Sequence, residues 1–126
     1  MRSALLALSL LMAPAMAQTQ ADMAQSRCAQ VQAAHKTLDR MLQQVLSRHK
    51  GDARATKAIN RSQVAWQAFR AAQLEAIYPE PDKNNYGSAY TMCNCLESEE
   101  LIQQRIKQLS AWIQPREGDV CAGSRF

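Results

Sequence analysis

The residues best suited to chemistry sit in one short string, Met92-Cys93-Asn94-Cys95, with two further cysteines, Cys28 and Cys121, far from it in sequence. Thioether and thiolate sulfur suit cuprous copper, so the string is a candidate soft-metal site. In an oxidising compartment the same cysteines are disulfide halves instead. Neither histidine lies near the string, and the chain has no Cys-x-x-Cys-His for covalent haem and no Cys-x-x-Cys for thiol exchange or a zinc knuckle. Nucleophilic catalysis needs a Ser or Cys with a reachable His and an orienting acid. His35 and His49 are flanked by Lys36 and Lys50 and are expected to face solvent. Glu97, Glu99 and Glu100 supply carboxylates, but no motif sets two of them across a cleft as a glycosidase requires. The residues therefore point away from an enzyme and call for no cofactor.

The start of the chain chooses between metal site and disulfides. MRSALLALSLLMAPAMA carries one charge, Arg2, before an apolar run and the small-residue triplet Ala15-Met16-Ala17, the pattern of a secretory signal peptide cleaved before Gln18. The run is shorter than the ~20 residues of a spanning helix and is broken by Pro14. No Cys follows the triplet to take a lipid anchor, so a periplasmic or secreted protein is expected. Removing residues 1–17 leaves 109 residues, 18–126, enough for a single domain. Its net charge of +3 is too mild to imply nucleic acid. Charge is unevenly spread, however: residues 18–74 carry net +6, and residues 75–100 carry net −5, from Glu75, Glu80, Asp82, Glu97, Glu99 and Glu100 against Lys83 alone. That segment is either solvated helix faces and a polar loop or an acidic patch for a basic partner.

Three amphipathic helices must position these groups. Val31, Ala34, Leu38, Met41, Leu42, Val45 and Leu46 recur at three- and four-residue steps between Thr19 and Arg48. Gly51 stops that helix and Asp52 caps a second, whose buried stripe is expected to run Ala55, Ile59, Trp66, Phe69 and Ile77 and to end near Tyr78. The stretch Tyr78-Pro-Glu-Pro-Asp-Lys-Asn-Asn-Tyr-Gly-Ser88 admits neither helix nor central strand and is the one substantial loop. Met92, Cys95, Leu96, Glu99, Ile102, Ile106, Leu109 and Ile113 then keep helical spacing, with only Glu99 spoiling the apolar stripe, until Pro115. No segment alternates as a strand does. The fold class is all-α: an antiparallel three-helix bundle stapled by disulfides, with a long loop between the second and third helices.

Four cysteines allow three pairings. Cys93 and Cys95 project about 200° apart on a helix and cannot readily join each other. Cys28 and Cys95 both lie on apolar stripes at ends that an up-down-up bundle makes neighbours, so they form the preferred bridge. Cys93 is then left for Cys121. That closure is tight, because Cys93 to Ile113 spans about 30 Å of helix, while the extended chain from Ile113 to Cys121 reaches only about 26–29 Å. Either the third helix is shorter than its pattern or the second bridge differs.

An ordered set of residues adds a resemblance. Ser62-Gln63-Val-Ala-Trp66-Gln-Ala-Phe69-Arg70, the loop end Tyr86-Gly87-Ser88, Cys95-Leu96 and then Arg105 with Leu109 resemble the LprI-like lysozyme inhibitor family, as do Gln20 to Cys28 and Leu38-Asp39 upstream. The similarity spans nearly all of the mature chain. Leu74 stands where the family carries a Cys, Leu38-Asp39 replaces its Leu-Asn, and Cys93 and Cys121 are extra. Read physically, Gln63, Trp66, Phe69, Arg70, Gly87, Ser88 and Arg105 are scaffold: Trp66 and Phe69 fill a core, Arg70 forms an ion pair or holds loop carbonyls, and Ser88 caps the third helix after Gly87 turns the chain.

The resemblance implies an exported, helical binding protein that blocks lysozyme, a muramidase that degrades peptidoglycan. The loop offers Tyr78, Tyr86 and Tyr90 as anchors and Glu80 and Asp82 to meet a basic enzyme, so its insertion into the enzyme's cleft is the expected mode. An envelope adaptor or secretion-system immunity protein with another partner, and more distantly a periplasmic copper protein, are the alternatives.

Overall fold

A computed structural model describes residues 19–125; the expected signal peptide, residues 1–17, lies outside the described residues. Three helices occupy most of them: α1 (Gln20–Arg48), α2 (Ala53–Ile77) and α3 (Tyr90–Ile113), with a 3-10 turn at Lys83–Tyr86 in the loop before α3. Among the described residues no strand is present and no helix is long and apolar enough to cross a membrane.

The helices begin and end where local chemistry directs. Thr19 and Asp22 form a reciprocal capping box at the start of α1: each side chain accepts the other's backbone N–H at 3.1 Å, satisfying two otherwise unpaired donors. The bonds to Thr19 hold the Asp22 carboxyl below its ordinary pKa. Gly51 adopts φ 101°, reversing the chain at little steric cost, and Asp52 accepts the Ala55 N–H at 2.9 Å to open α2. Ser88 does not cap α3. Gly87 (φ 77°) starts a tight turn, and the helix begins with Ala89 as its unassisted cap, which leaves the Ser88 hydroxyl one residue too early.

The arrangement is up-down-up. Cys28 meets Cys95 at one end and Arg48 meets the carbonyls of Trp112 (3.2 Å) and Ile113 at the other, so α1 and α3 run in the same direction. Contacts from Ser62 to Arg105 and from Arg70 to Ser98 run α2 antiparallel to both. Val31, Ala34, Leu38 and Val45 of α1 close with Ile102 and Leu109 of α3 over a core to which α2 adds Ile59. Trp66 packs against that core only partly, and Phe69 and Ile77, expected inside, are 53% and 37% exposed. Phe69 lies about 80° around α2 from Ile59 at 100° per residue, beyond the narrow edge that α2 buries. Gln63, not an apolar residue, shares that edge with Ile59.

One disulfide is present, Cys28–Cys95, with Cα atoms 5.1 Å apart. The second bridge, expected between Cys93 and Cys121, is not formed, and both thiols are free. Reach keeps them apart: α3 is helical throughout Tyr90–Ile113, and the tail folds against the far end of the bundle, where the Ser124 carbonyl bonds His49. Cys121 therefore stays a helix length from Cys93. Among the described residues no three His, Cys, Asp or Glu side chains converge as metal ligands, and Cys95 of the Met-Cys-Asn-Cys string is consumed by its bridge.

His49, expected in solvent, is buried at that far end. Its Nδ1 faces the Val45 carbonyl at 2.9 Å and its Nε2 the Ser124 carbonyl at 2.7 Å, while its ring meets Trp112 edge-on. A neutral imidazole has one N–H and would leave a lone pair against one of these oxygens; the imidazolium satisfies both. The Val45 and then the Ser124 carbonyl accordingly raise the His49 pKa, with Asp52 assisting and burial and Arg48 opposing. Because the folded pKa lies above the unfolded one, this contribution to stability is complete below about pH 6.5 and is lost as pH rises through the folded value. Burial, and then Arg70, lower the His35 pKa, so its effect has the opposite sign. Comparing His49→Gln with the unaltered chain isolates the latch. The stability difference between them, from thermal melts across pH 5.5–8.5, is expected to narrow as pH rises; a constant difference contradicts the imidazolium latch.

Candidate functional site

The loop between α2 and α3 is braced from within. Pro79 and Pro81 prevent helix continuation, Asp82 accepts the Asn84 N–H at 3.0 Å to start the 3-10 turn, and Gly87 closes it. The Glu80 N–H donates to the Tyr86 hydroxyl at 2.8 Å. Lys83 folds inward and donates to the carbonyls of Tyr78 and, at 2.7 Å, Glu80.

The three tyrosines offered as anchors hold one another. Tyr78 meets Tyr86 and Tyr90 edge-on at 5.2 and 5.1 Å between ring centroids, and Tyr86 stacks on Tyr90 at 5.8 Å. Each such pair contributes roughly 0.5–1.5 kcal/mol beyond its buried area. All three rings are half-buried, and the loop presents Glu80, Pro81 and Asp82 to solvent around them. Burial raises the Tyr78 phenol, with Cys93, Glu97, Tyr90 and Tyr86 adding smaller increments. The cluster is thus a rigid pedestal, and its neighbourhood is electronegative.

That face is left largely uncompensated. Lys83, the single cation of the acidic segment, is spent on backbone carbonyls, and among the described residues the one ion pair joins Arg27 to Glu99 at 3.8 Å. Glu80, Asp82 and Glu100 face solvent without a cationic partner.

The motif residues of α2 and α3 form a polar seam beside this surface. Arg105, buried, donates from Nε to Gln63 Oε1 at 3.1 Å, from Nη2 to Ser62 Oγ at 2.7 Å and from Nη1 to Gln108 Oε1 at 3.0 Å. Two turns along, Arg70 donates to Ser98 Oγ and keeps Nε buried without a partner. Neither arginine meets a carboxylate or a loop carbonyl, so the ion pair expected of Arg70 is replaced by a hydroxyl contact. Burial lowers the pKa of both guanidinium groups. Ser62, Ser98 and Gln108 were invisible as partners in the sequence; the available signal is that Gln63–Arg70 and Ser98–Arg105 are both seven apart, which aligns them across antiparallel helices. Beside Arg105, a cavity of about 150 Å³ is walled by Ala55, Ile59, Leu109 and Trp112.

The family described as Lysozyme inhibitor LprI matches residues 12–109, which include all of α1 and α2, the tyrosine loop and α3 as far as Leu109. No curated protein and no solved structure gives a significant match. The matched span contains Gln63, Trp66, Phe69, Arg70, Gly87, Ser88, Cys95 and Arg105 in order, and it covers most of the chain. The chain belongs to the lysozyme inhibitor LprI family.

Proposed function

We propose that the protein is exported through removal of residues 1–17, that residues 18–126 act as one domain, and that this domain inhibits a peptidoglycan-degrading muramidase by seating the Tyr78–Tyr90 loop in the enzyme's cleft. Family membership supports a lysozyme as the protein partner. The observation that carries the mode of binding is the internal bracing of the loop, which turns its only cation inward and holds Glu80 and Asp82 outward on a tyrosine pedestal. A pre-ordered loop loses little conformational entropy on docking, and its carboxylates steer a basic enzyme into place. The half-buried tyrosines then act mainly by fixing the loop's shape, with their exposed edges adding contact area.

The test is binding of the full mature chain to a purified basic lysozyme, compared with Glu80→Gln/Asp82→Asn. Asn retains the oxygen that caps the 3-10 turn, so the loop's shape is preserved while its charge is removed. The double variant is expected to associate roughly tenfold more slowly at low salt and to lose much of the salt dependence. Equal association by both proteins contradicts docking through the loop; absence of any complex contradicts the inhibitor reading itself.

A further inference from the structure

Next to the foot of the tyrosine loop, α2 and α3 bound a shallow groove of about 270 Å³ lined by Phe69 and Ile77 on one side and by Glu97, Glu100 and Leu101 on the other. Phe69 is 53% exposed and lines the groove together with Ile77. Leaving such a ring in water forgoes the hydrophobic stabilisation that burying it would contribute. Phe69 and Ile77 flank Gln73 on the α2 wall, and Glu97 and Glu100 stand beside Leu101 and Gln104 on the α3 wall, so the slot is amphipathic, and neither carboxylate has a cationic partner among the described residues. The groove adjoins the loop, since Ile77, which lines it, is the last residue of α2 and is followed directly by Tyr78.

We propose that this α2–α3 groove is a second docking point for the basic partner, taking an arginine or lysine side chain whose apolar stem lies along Phe69 and Ile77 and whose cationic head meets Glu97 and Glu100. The partner's identity rests on the muramidase reading above; its charge and shape are read from the groove. A guanidinium or ammonium over a phenyl ring is attracted by the ring's quadrupole, and a long stem covers apolar surface while the head remains near polar groups. The slot therefore selects a cationic side chain over an aliphatic one, which would leave two carboxylates desolvated, and over an acidic one, which they repel. Together the loop and the groove make one acidic footprint with an aromatic centre, the arrangement expected of a binding hot spot.

The experiment is binding of the full mature chain to a purified basic lysozyme, with two groove variants and one control. Phe69→Ala is expected to weaken binding about tenfold. Glu97→Gln/Glu100→Gln is expected to weaken it several-fold and to flatten the salt dependence. Val64→Ala removes another exposed apolar residue of α2, on the face carrying Lys57 and Arg61, and is expected to change affinity less than about twofold. Circular dichroism confirms that each variant keeps its helices. Amide shifts in NMR, followed during titration with a short synthetic peptide of alternating arginine and leucine, read the groove independently of any enzyme. Shifts centred on Phe69, Ile77, Glu97 and Leu101 support the assignment even if lysozyme fails to bind, in which case the inhibitor reading alone falls. Lysozyme binding that is indifferent to both groove variants overturns the groove and leaves the inhibitor reading standing. Peptide shifts elsewhere, or no shifts at all, also overturn it.

Discussion

Replacing Cys28 and Cys95 together by serine is expected to destabilise the domain by about 4 kcal/mol. The bridge joins residues 67 apart in sequence, so in the unfolded chain it removes the entropy of a long loop, and the chain-entropy relation for a loop of this length gives roughly that figure. A domain of this size has a total stability of about 5–15 kcal/mol, so the loss is a large fraction of the whole. In urea, with a slope near 2 kcal/mol/M, the unfolding midpoint should fall by about 2 M. The comparison that gives the number meaning is Cys93→Ser with Cys121→Ser. Both thiols are free, Cys121 is exposed, and their joint replacement should change stability by only about 0.5 kcal/mol. A comparable fall in the second pair would mean that Cys93 and Cys121 are bridged after all, and that α3 or the tail departs from the fold described above. The bridge also anchors α3 five residues beyond Tyr90, so its loss should loosen the pedestal and weaken partner binding along with stability.

Arg105→Ala is expected to cost about 3 kcal/mol. The guanidinium is the one side chain that bonds Ser62 and Gln63 of α2 from within α3, and α2 buries little else besides Ile59. Truncation strands the buried Gln63 amide oxygen, which costs roughly 1–3 kcal/mol, and extends the cavity bounded by Ile59, Leu109 and Trp112, adding the penalty of lost packing. Arg105→Lys should recover little, because one ammonium cannot reproduce three divergent bonds from Nε and both terminal nitrogens. Arg70→Ala is the informative contrast. It holds a single hydroxyl and leaves Nε unsatisfied, so its removal should cost less than about 1.5 kcal/mol. Chemical denaturation of the three variants checks the order; an Arg70→Ala loss equal to that of Arg105→Ala contradicts the view that Arg105 pins α2 to the bundle.

How much of this was readable beforehand follows from what periodicity encodes. The apolar steps of α1 and α3 gave helix faces, and Gly51, Asp52 and the two prolines gave the boundaries, because caps and breakers act through the backbone within a few residues. The Cys28–Cys95 bridge was accessible because stripe position and up-down-up order together place two residues at neighbouring ends. A face pattern does not say how wide an edge a third helix buries; α2 buries a narrow one, which leaves Phe69 outside the core. The burial of His49 is not legible in the sequence, because its partner, the Ser124 carbonyl, belongs to a tail with no periodic signal. The second bridge failed on length, since nothing in the pattern shortens α3, and the arithmetic of reach already strained it. The tyrosines of the loop were recognised as a group, but their mutual packing depends on the 3-10 turn that brings Tyr86 back over Tyr78.

Clearance of a peptidoglycan suspension by a purified basic lysozyme, followed with and without the mature protein at low and at physiological salt, tests the central assignment most directly. Equimolar protein should slow clearance strongly at low salt, with the effect weakening as salt screens the acidic face and being reduced, with little salt dependence, for Glu80→Gln/Asp82→Asn. Clearance that is unchanged by excess protein at either salt concentration would contradict the inhibitor assignment.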